Sequence, residues 1–309
     1  MSAINKLLFS TQAYHYLKKK MLATGRFQDG LTETRLFPDG ERYQRILTQP
    51  REFDAYVLGG TISDADTLEL YDLASGLTEL GARSLTLMIP YFGYGTMERS
   101  IKKGEIVTAK TRARLLSSIP TADYGNHILM LDLHSEGLPH YFEGNVRAFH
   151  IYAKDVIIAQ AREMGGKKFV LACTDAGRAK WVESLANDMH VDAAFVFKRR
   201  INGSQTEVAH INADVQDRHV IIYDDMIRTG SSLIHAAEAY HKAGAKRIDV
   251  LTTHGLFIGN AYTELRNSGL FTLICSTDSH PNATRIQDKQ YRLCSVADLL
   301  TQNALTIGA

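Results

Sequence analysis

Apolar positions in this chain fall into short unbroken runs separated by amphipathic stretches. The runs are "AYVLGG" (55–60), "SLTLMIP" (84–90), "HILMLDL" (127–133), "KFVLACT" (168–174), "AAFVFKRR" (193–200), "HVIIYDD" (219–225), "RIDVLTTHG" (247–255) and "LFTLICST" (270–277). Continuous rather than alternating apolar character predicts strands buried on both faces of a parallel sheet. Helical periodicity fills the intervals. Leu70, Leu73, Ala74, Leu77 and Leu80 fall on one face of a helix that Ser63 and Asp66 can open as a capping box. Ala179, Val182, Ala186 and Met189 form a second stripe, and Leu233, Ala236, Ala237 and Tyr240 a third, which Gly244 can end in a left-handed cap. Strand alternating with helix predicts an α/β fold with mostly parallel sheets flanked by helices. Two such sheets fit 309 residues better than one very wide one. The boundary is expected within "EGNVRAFHIY" (143–152), giving domains 1–148 and 149–309.

Composition narrows the partners. Thirty-five Lys+Arg against 34 Asp+Glu leave no global field that would draw nucleic acid or a membrane surface. An anionic ligand therefore needs a local site. The three cysteines, Cys173, Cys275 and Cys294, form neither a disulfide framework nor a CxxC metal pair, so a reduced, cytoplasmic setting is expected. The first twenty residues carry too short an apolar stretch for a signal peptide.

Candidate chemistry gathers at the ends of the predicted strands. In "VIIYDDMIRTGSSL" a strand runs into two acids and then a small-residue turn ahead of a helix. Free N–H groups of such a turn and the helix macrodipole favour a phosphate, and Thr229, Gly230, Ser231 and Ser232 are small enough to let one approach. Asp224 and Asp225 can accept hydrogen bonds from the vicinal hydroxyls of a ribose. An acidic strand end before an N-capped helix is the plain alternative. "LMLDLHSEG" places Asp132, His134 and Glu136 just past a strand, and "VLACTDAGRAK" places Asp175 before another small turn. A His and an Asp brought together can hold a phosphate-bound Mg²⁺, which needs few protein ligands. Taken singly, each reads equally as a helix cap or a loop hydrogen bond. Lys198, Arg199 and Arg200 lead into a polar, Gly-containing loop, where cations can close over a phosphoryl group or simply face solvent. Phe37, Asp39 and Glu41 surround a Pro-Asp-Gly turn, locally an ordinary hairpin.

Taken in order, "LFPDGE", "IPYFGYGTMERS", "TAKTRARLLSSI", "MLDLHSEG", "TDAGR", "KRRINGSQTEVAHI", "YDDMIRTGSSL" and "TTHGLF" resemble segments of the ribose-phosphate pyrophosphokinase (PRPP synthetase) family, along essentially the whole chain. The resemblance implies two similar phosphoribosyltransferase-type domains in a homo-oligomer built of dimers, often a hexamer. It implies a transfer, useful in nucleotide biosynthesis, of the β,γ-diphosphoryl group of ATP to the anomeric hydroxyl of ribose 5-phosphate, releasing AMP. By likeness, His134 and Asp175 handle Mg²⁺, and Lys198 and Arg200 stabilise the transferring group. Asp224 and Asp225 take the ribose hydroxyls, and the 229–232 turn takes the 5-phosphate. Phe37, Asp39 and Glu41 reach the adenine across a subunit interface, and the segment Thr96, Met97, Glu98, Arg99, with His134, meets ATP. In-line attack at phosphorus asks for positioning, metal and cations more than for a covalent nucleophile.

Two departures stand out. Where the family usually reads Arg-Gln-Asp-Arg-Arg, this chain has Thr96, Met97, Glu98, Arg99 and Ser100. Losing one cation against a triphosphate costs ~1.5–3 kcal/mol for a charged hydrogen bond, unless Arg99 or Lys102 compensates. The phosphate turn, usually Asp-Thr-Gly-Gly-Thr, begins here with Arg228. An arginine there can pair with a second phosphate, so ADP-ribose, as in NAD salvage, is a second expected acceptor. Two rivals remain: a non-catalytic partner of a true synthetase, and a phosphoribosyltransferase sharing the "DDMIRTG" loop.

Overall fold

A computed structural model describes residues 5–174, 176–202 and 205–307, with side chains apart from those of 176 and 197–210. The chain divides into two compact units, Met1–Tyr152 with Ala297–Ala309, and Ala153–Val296.

The first unit contains β1 (Lys6–Ser10), α1 (His15–Leu22), β2 (Gln28–Asp29), the strands β3 (Thr32–Leu36) and β4 (Arg42–Ile46), β5 (Asp54–Leu58), α2 (Asp64–Glu79), β6 (Ser84–Ile89), α3 (Thr108–Ser117), β7 (Asn126–Leu131) and β8 (Val146–Ile151). Six strands form one sheet in the order β2-β1-β5-β6-β7-β8, with every pairing parallel. Its central strands β5 and β6 are buried at every position, as unbroken apolar runs require. Helix α2 starts as expected: Ser63 accepts the Asp66 N–H at 3.1 Å and returns its own hydroxyl to Asp66 at 2.5 Å. Leu70, Leu73, Ala74 and Leu77 then pack on Leu85, Leu87 and Val57. Leu80 does not join them. It is the C-cap, 42% exposed, because the helix ends one residue earlier and the stripe ends with it. Strands β3 and β4 stand apart as an antiparallel hairpin.

The second unit contains α4 (Lys154–Gly165), β9 (Val170–Cys173), α5 (Ala179–Met189), β10 (Asp192–Asn202), β11 (Gln205–Ile211), β12 (His219–Ile227), α6 (Ser231–Lys242), β13 (Arg247–Gly255), α7 (Ala261–Asn267), β14 (Leu273–Thr277) and β15 (Tyr291–Cys294). Seven strands lie in the order β11-β10-β9-β12-β13-β14-β15, parallel except for the antiparallel edge pair β10–β11. Val170, Ala172, Val220, Ile222 and Val250 form the core with Leu233, Ala236, Ala237 and Tyr240 of α6. Gly244 follows α6 at φ +88°, where its N–H bonds the carbonyl of His241.

The last helix, α8 (Ala297–Ile307), belongs with the first unit, where it contacts α1 and β6 and buries Ala297, Leu300, Thr301 and Ala304. This corrects the expected 149–309 domain at its end. An apolar stripe shows that a helix is buried but not which sheet receives it. Among the described residues no helix is long and apolar enough to cross a membrane.

Candidate active site

In the first unit, the carboxyl ends of β6 and β7 bring two expected segments together. After β6 the chain turns tightly at Gly93, whose N–H donates to Thr61 Oγ1 at 2.7 Å. A Cβ there would lie 2.0 Å from the carbonyl oxygen of Thr61, so only glycine fits. Gly95 packs against His134: a Cβ on it would sit 3.6 Å from the His134 Cβ. The segment expected to meet ATP therefore runs beside the imidazole expected to meet the metal.

Thr96 is half-buried and Met97 is 44% exposed. The carbonyl of Glu98 accepts from the Tyr141 hydroxyl, and Arg99, largely exposed, lies 3.5 Å from the Glu98 carboxylate. The strand-end loop is further tied at Tyr94, whose hydroxyl donates to Asp64 at 3.0 Å, while Arg112 reaches the same carboxylate at 2.6 Å and lies over the Tyr94 ring. The Tyr94 hydroxyl and then Arg112 hold the Asp64 carboxyl below its usual range.

His134 is exposed just beyond β7. Ahead of it, Asp132 takes a left-handed φ of +39°, and its N–H bonds the Ile151 carbonyl at 2.8 Å, anchoring the turn to β8. Glu136, also exposed, accepts from Tyr152 at 3.3 Å.

Phe37, Asp39 and Glu41 do occupy a hairpin tip. Asp39 accepts the Glu41 N–H at 3.0 Å, and Arg35 stacks on both Phe37 and Tyr43. The strand β4 behind them is fastened to α2, where Arg42 donates to the Ala65 carbonyl at 2.8 Å.

In the second unit, the acids do not end their strand. β12 continues to Ile227, because its neighbour β13 runs on to Gly255 and keeps it paired. The two acids also differ. Asp224 is half-buried, accepts the Asp225 N–H at 3.0 Å and the Thr174 hydroxyl at 3.3 Å. Asp225 is 3% exposed and ion-pairs with Arg178. Asp224 is the more open of the two.

Arg178 was not among the expected site residues. A signal was present: an arginine at the start of a helix opposes the macrodipole and so calls for an acid partner. It is the N-cap residue of α5.

The turn after β12 opens α6. Gly230 is the N-cap of α6 with φ +80° and no side-chain cap hydrogen bond, and Ser231 and Ser232 after it are exposed. Thr229 and Ser231 hydroxyls lie 3.4 Å apart. The turn is braced from β13's exit, where Phe257 N–H bonds the Ile227 carbonyl at 3.0 Å and Ile258 N–H bonds the Arg228 carbonyl at 2.9 Å. Arg228 itself is exposed.

Lys198 and Arg200 do not lie on a loop. They are on β10, opposite Val208 and Thr206 of β11, because the polar "QTEVAHI" segment pairs back as a hairpin arm. Their side chains, and the whole of Asp175, lie outside the described residues.

Among the described residues no three His, Cys, Asp or Glu side chains cluster as a metal cage. His134 and Glu136, both exposed, follow β7, and a hard cation that arrives already coordinated by phosphate oxygens needs few protein ligands.

Comparison with known proteins bears on the chain as a whole. The family model for the N-terminal domain of ribose phosphate pyrophosphokinase matches residues 6–119, and that for the phosphoribosyl transferase domain matches 150–287. A ribose-phosphate pyrophosphokinase of Haemophilus ducreyi is 30% identical over 303 residues, covering 96% of this chain and 93% of its own. That of Thermotoga maritima is 28% identical, covering 99% and 96%. The crystal structure of phosphoribosylpyrophosphate synthetase from Mycobacterium smegmatis superposes with a TM-score of 0.86 at 24% identity, over 99% of this chain and 100% of the other, a likeness of fold.

Proposed function

The chain belongs to the ribose-phosphate pyrophosphokinase family, and from that premise we propose that it transfers the β,γ-diphosphoryl group of ATP to the anomeric hydroxyl of ribose 5-phosphate, releasing AMP. The observation that carries the acceptor side is the half-buried Asp224 ahead of an uncapped helix N-terminus. A carboxylate accepts from the ribose hydroxyls. The N–H groups and hydroxyls of 229–232 take the 5-phosphate. The reactive C1 hydroxyl is thereby fixed in position, which supplies most of what an in-line displacement needs.

On the donor side, Thr96, Met97, Glu98 and Arg99 line the ATP segment beside His134, and the Phe37, Asp39 and Glu41 tip serves the adenine of a neighbouring copy in a homo-oligomer. His134 and Asp175 would each serve Mg²⁺, which neutralises phosphate charge when bound. Lys198 and Arg200 would stabilise the charge that develops on the diphosphoryl group.

A second acceptor is favoured by one observation: Arg228 is exposed at the start of the phosphate turn. A guanidinium there suits a diphosphate at C5, as in ADP-ribose. The test is AMP release by the purified protein with Mg²⁺ and ATP, given ribose 5-phosphate or ADP-ribose. AMP with ribose 5-phosphate supports the first reading, and AMP with ADP-ribose alone replaces it by the second. Release with neither would mark a non-catalytic family member.

A further inference from the structure

The segment between β9 and α5 holds both acids of the acceptor site, one from each flank. Thr174, directly after β9 and buried, donates its hydroxyl to Asp224 Oδ2 at 3.3 Å. Arg178, at the start of α5, pairs its guanidinium with Asp225 Oδ2. The Asp225 carboxylate is 4% exposed and the guanidinium side chain 23%. The backbone closes the set, since the Asp225 N–H donates to Asp224 Oδ1 at 3.0 Å. A carboxylate this deep needs a paired cation, and removing that partner leaves an uncompensated buried charge. Here the consequence reaches beyond Asp225. Without that pair, a buried charge would lie one residue from Asp224, and the segment that also carries Thr174 would lose one of its ties to β12.

We propose that Arg178 is a positioning residue of the acceptor site: it keeps Asp225 buried and paired, and so leaves Asp224 oriented as the carboxylate that meets the vicinal hydroxyls of the sugar. The inference rests on the acceptor role given above to the Asp224 edge. Arg178 also sets a selectivity of effect. Asp224 and Asp225 belong to the acceptor side, so its loss acts on the acceptor and spares ATP binding by the first unit.

The experiment compares R178A, R178K, D225N and the R178A/D225N double variant in the full-length protein with Mg²⁺, ATP and ribose 5-phosphate. R178A is expected to raise the KM for ribose 5-phosphate by about tenfold or more, the scale of a small misplacement. The KM for ATP should stay within about twofold, the limit for independent sites. The double variant should be no worse than either single one, because the pair acts as a unit. R178K should recover part of the loss, since lysine keeps the charge but not the planar fork. Equal rises in both KM values, additive single effects, or an unchanged acceptor KM would each overturn the proposal. If R178A does not fold, R178K and D225N carry the same comparison. Wild-type protein that releases no AMP defeats the enzymatic reading, and the inference is then read by thermal shift with ribose 5-phosphate. Stabilisation of the wild type but not of R178K or R178A upholds it; equal shifts, or none in the wild type, overturn it.

Discussion

The phenol of Tyr240 lies 3.1 Å from the backbone carbonyl of Cys173 and 3.2 Å from that of Ala194, so one buried hydroxyl on α6 bridges the ends of β9 and β10. Burial pushes this phenol well above its usual pKa, so it remains a donor at any working pH. The helix that begins after Gly230 is thereby fastened to the strand that precedes Thr174. We expect Tyr240→Phe to lower unfolding free energy by about 0.5–1.5 kcal/mol, the net worth of a buried hydrogen bond. Denaturant titration of the two proteins checks it, and an unchanged midpoint would show that the bridge stabilises nothing.

Gly230 links conformation to binding in the same unit. Its φ of +80° lies in the left-handed region, and a Cβ would come within 2.8–3.1 Å of three side-chain carbons of the buried Leu265. The backbone term costs ~1–2 kcal/mol for a residue with a Cβ, and crowding a packed leucine adds about 1–3 kcal/mol. Gly230→Ala is expected to lower Tm and to raise the acceptor KM, with the ATP KM much less affected. A wild-type Tm together with a wild-type acceptor KM would contradict both parts.

Much of this architecture was legible in the sequence, for a physical reason. β5, β6, β7, β12 and β13 are covered on both faces, so their runs are unbroken and stand out. β8 was passed over as a domain boundary because it is an edge strand, and its half-exposed residues carry no such run. β11 was read as loop because its residues are polar and its partner is supplied by a hairpin. The acid-turn-helix site was legible because all its residues are close in sequence. The Arg178–Asp225 and Thr61–Gly93 contacts were not, since each joins segments that only the sheet brings together.

The ATP segment offers a gain-of-function test. Thr96 stands, half-buried, where the family pattern has arginine, on the loop that packs against His134. Restoring a charge-assisted hydrogen bond to the triphosphate is worth ~1.5–3 kcal/mol at most. Thr96→Arg is therefore expected to lower the ATP KM by about tenfold while leaving the acceptor KM unmoved. Steady-state AMP release at varied ATP measures it. An unchanged ATP KM would mean that Thr96 does not face the triphosphate.

At the amino-terminal end of the first unit's central strands, Asp54 accepts from Arg83 Nε at 2.9 Å and Nη2 at 2.6 Å, and from the Ser84 hydroxyl at 2.7 Å. Burial alone would raise the carboxyl, but Arg83 and Ser84 outweigh it and hold Asp54 below the usual 3.8. The sign follows: the folded state binds this proton less readily than the unfolded state, so the pair stabilises fully above the ordinary carboxylate pKa. That contribution fades as pH falls through the lowered folded value. Both side chains line a hollow of about 900 Å³ open to solvent, and Arg83 is 40% exposed, so water screens the pair. Its worth is accordingly about 1 kcal/mol. Urea unfolding of wild type and Asp54→Asn should differ by about that amount near neutral pH, with the gap closing below about pH 4. A gap that stayed constant from neutral to acid pH would show that Asp54 contributes through packing and not through its charge.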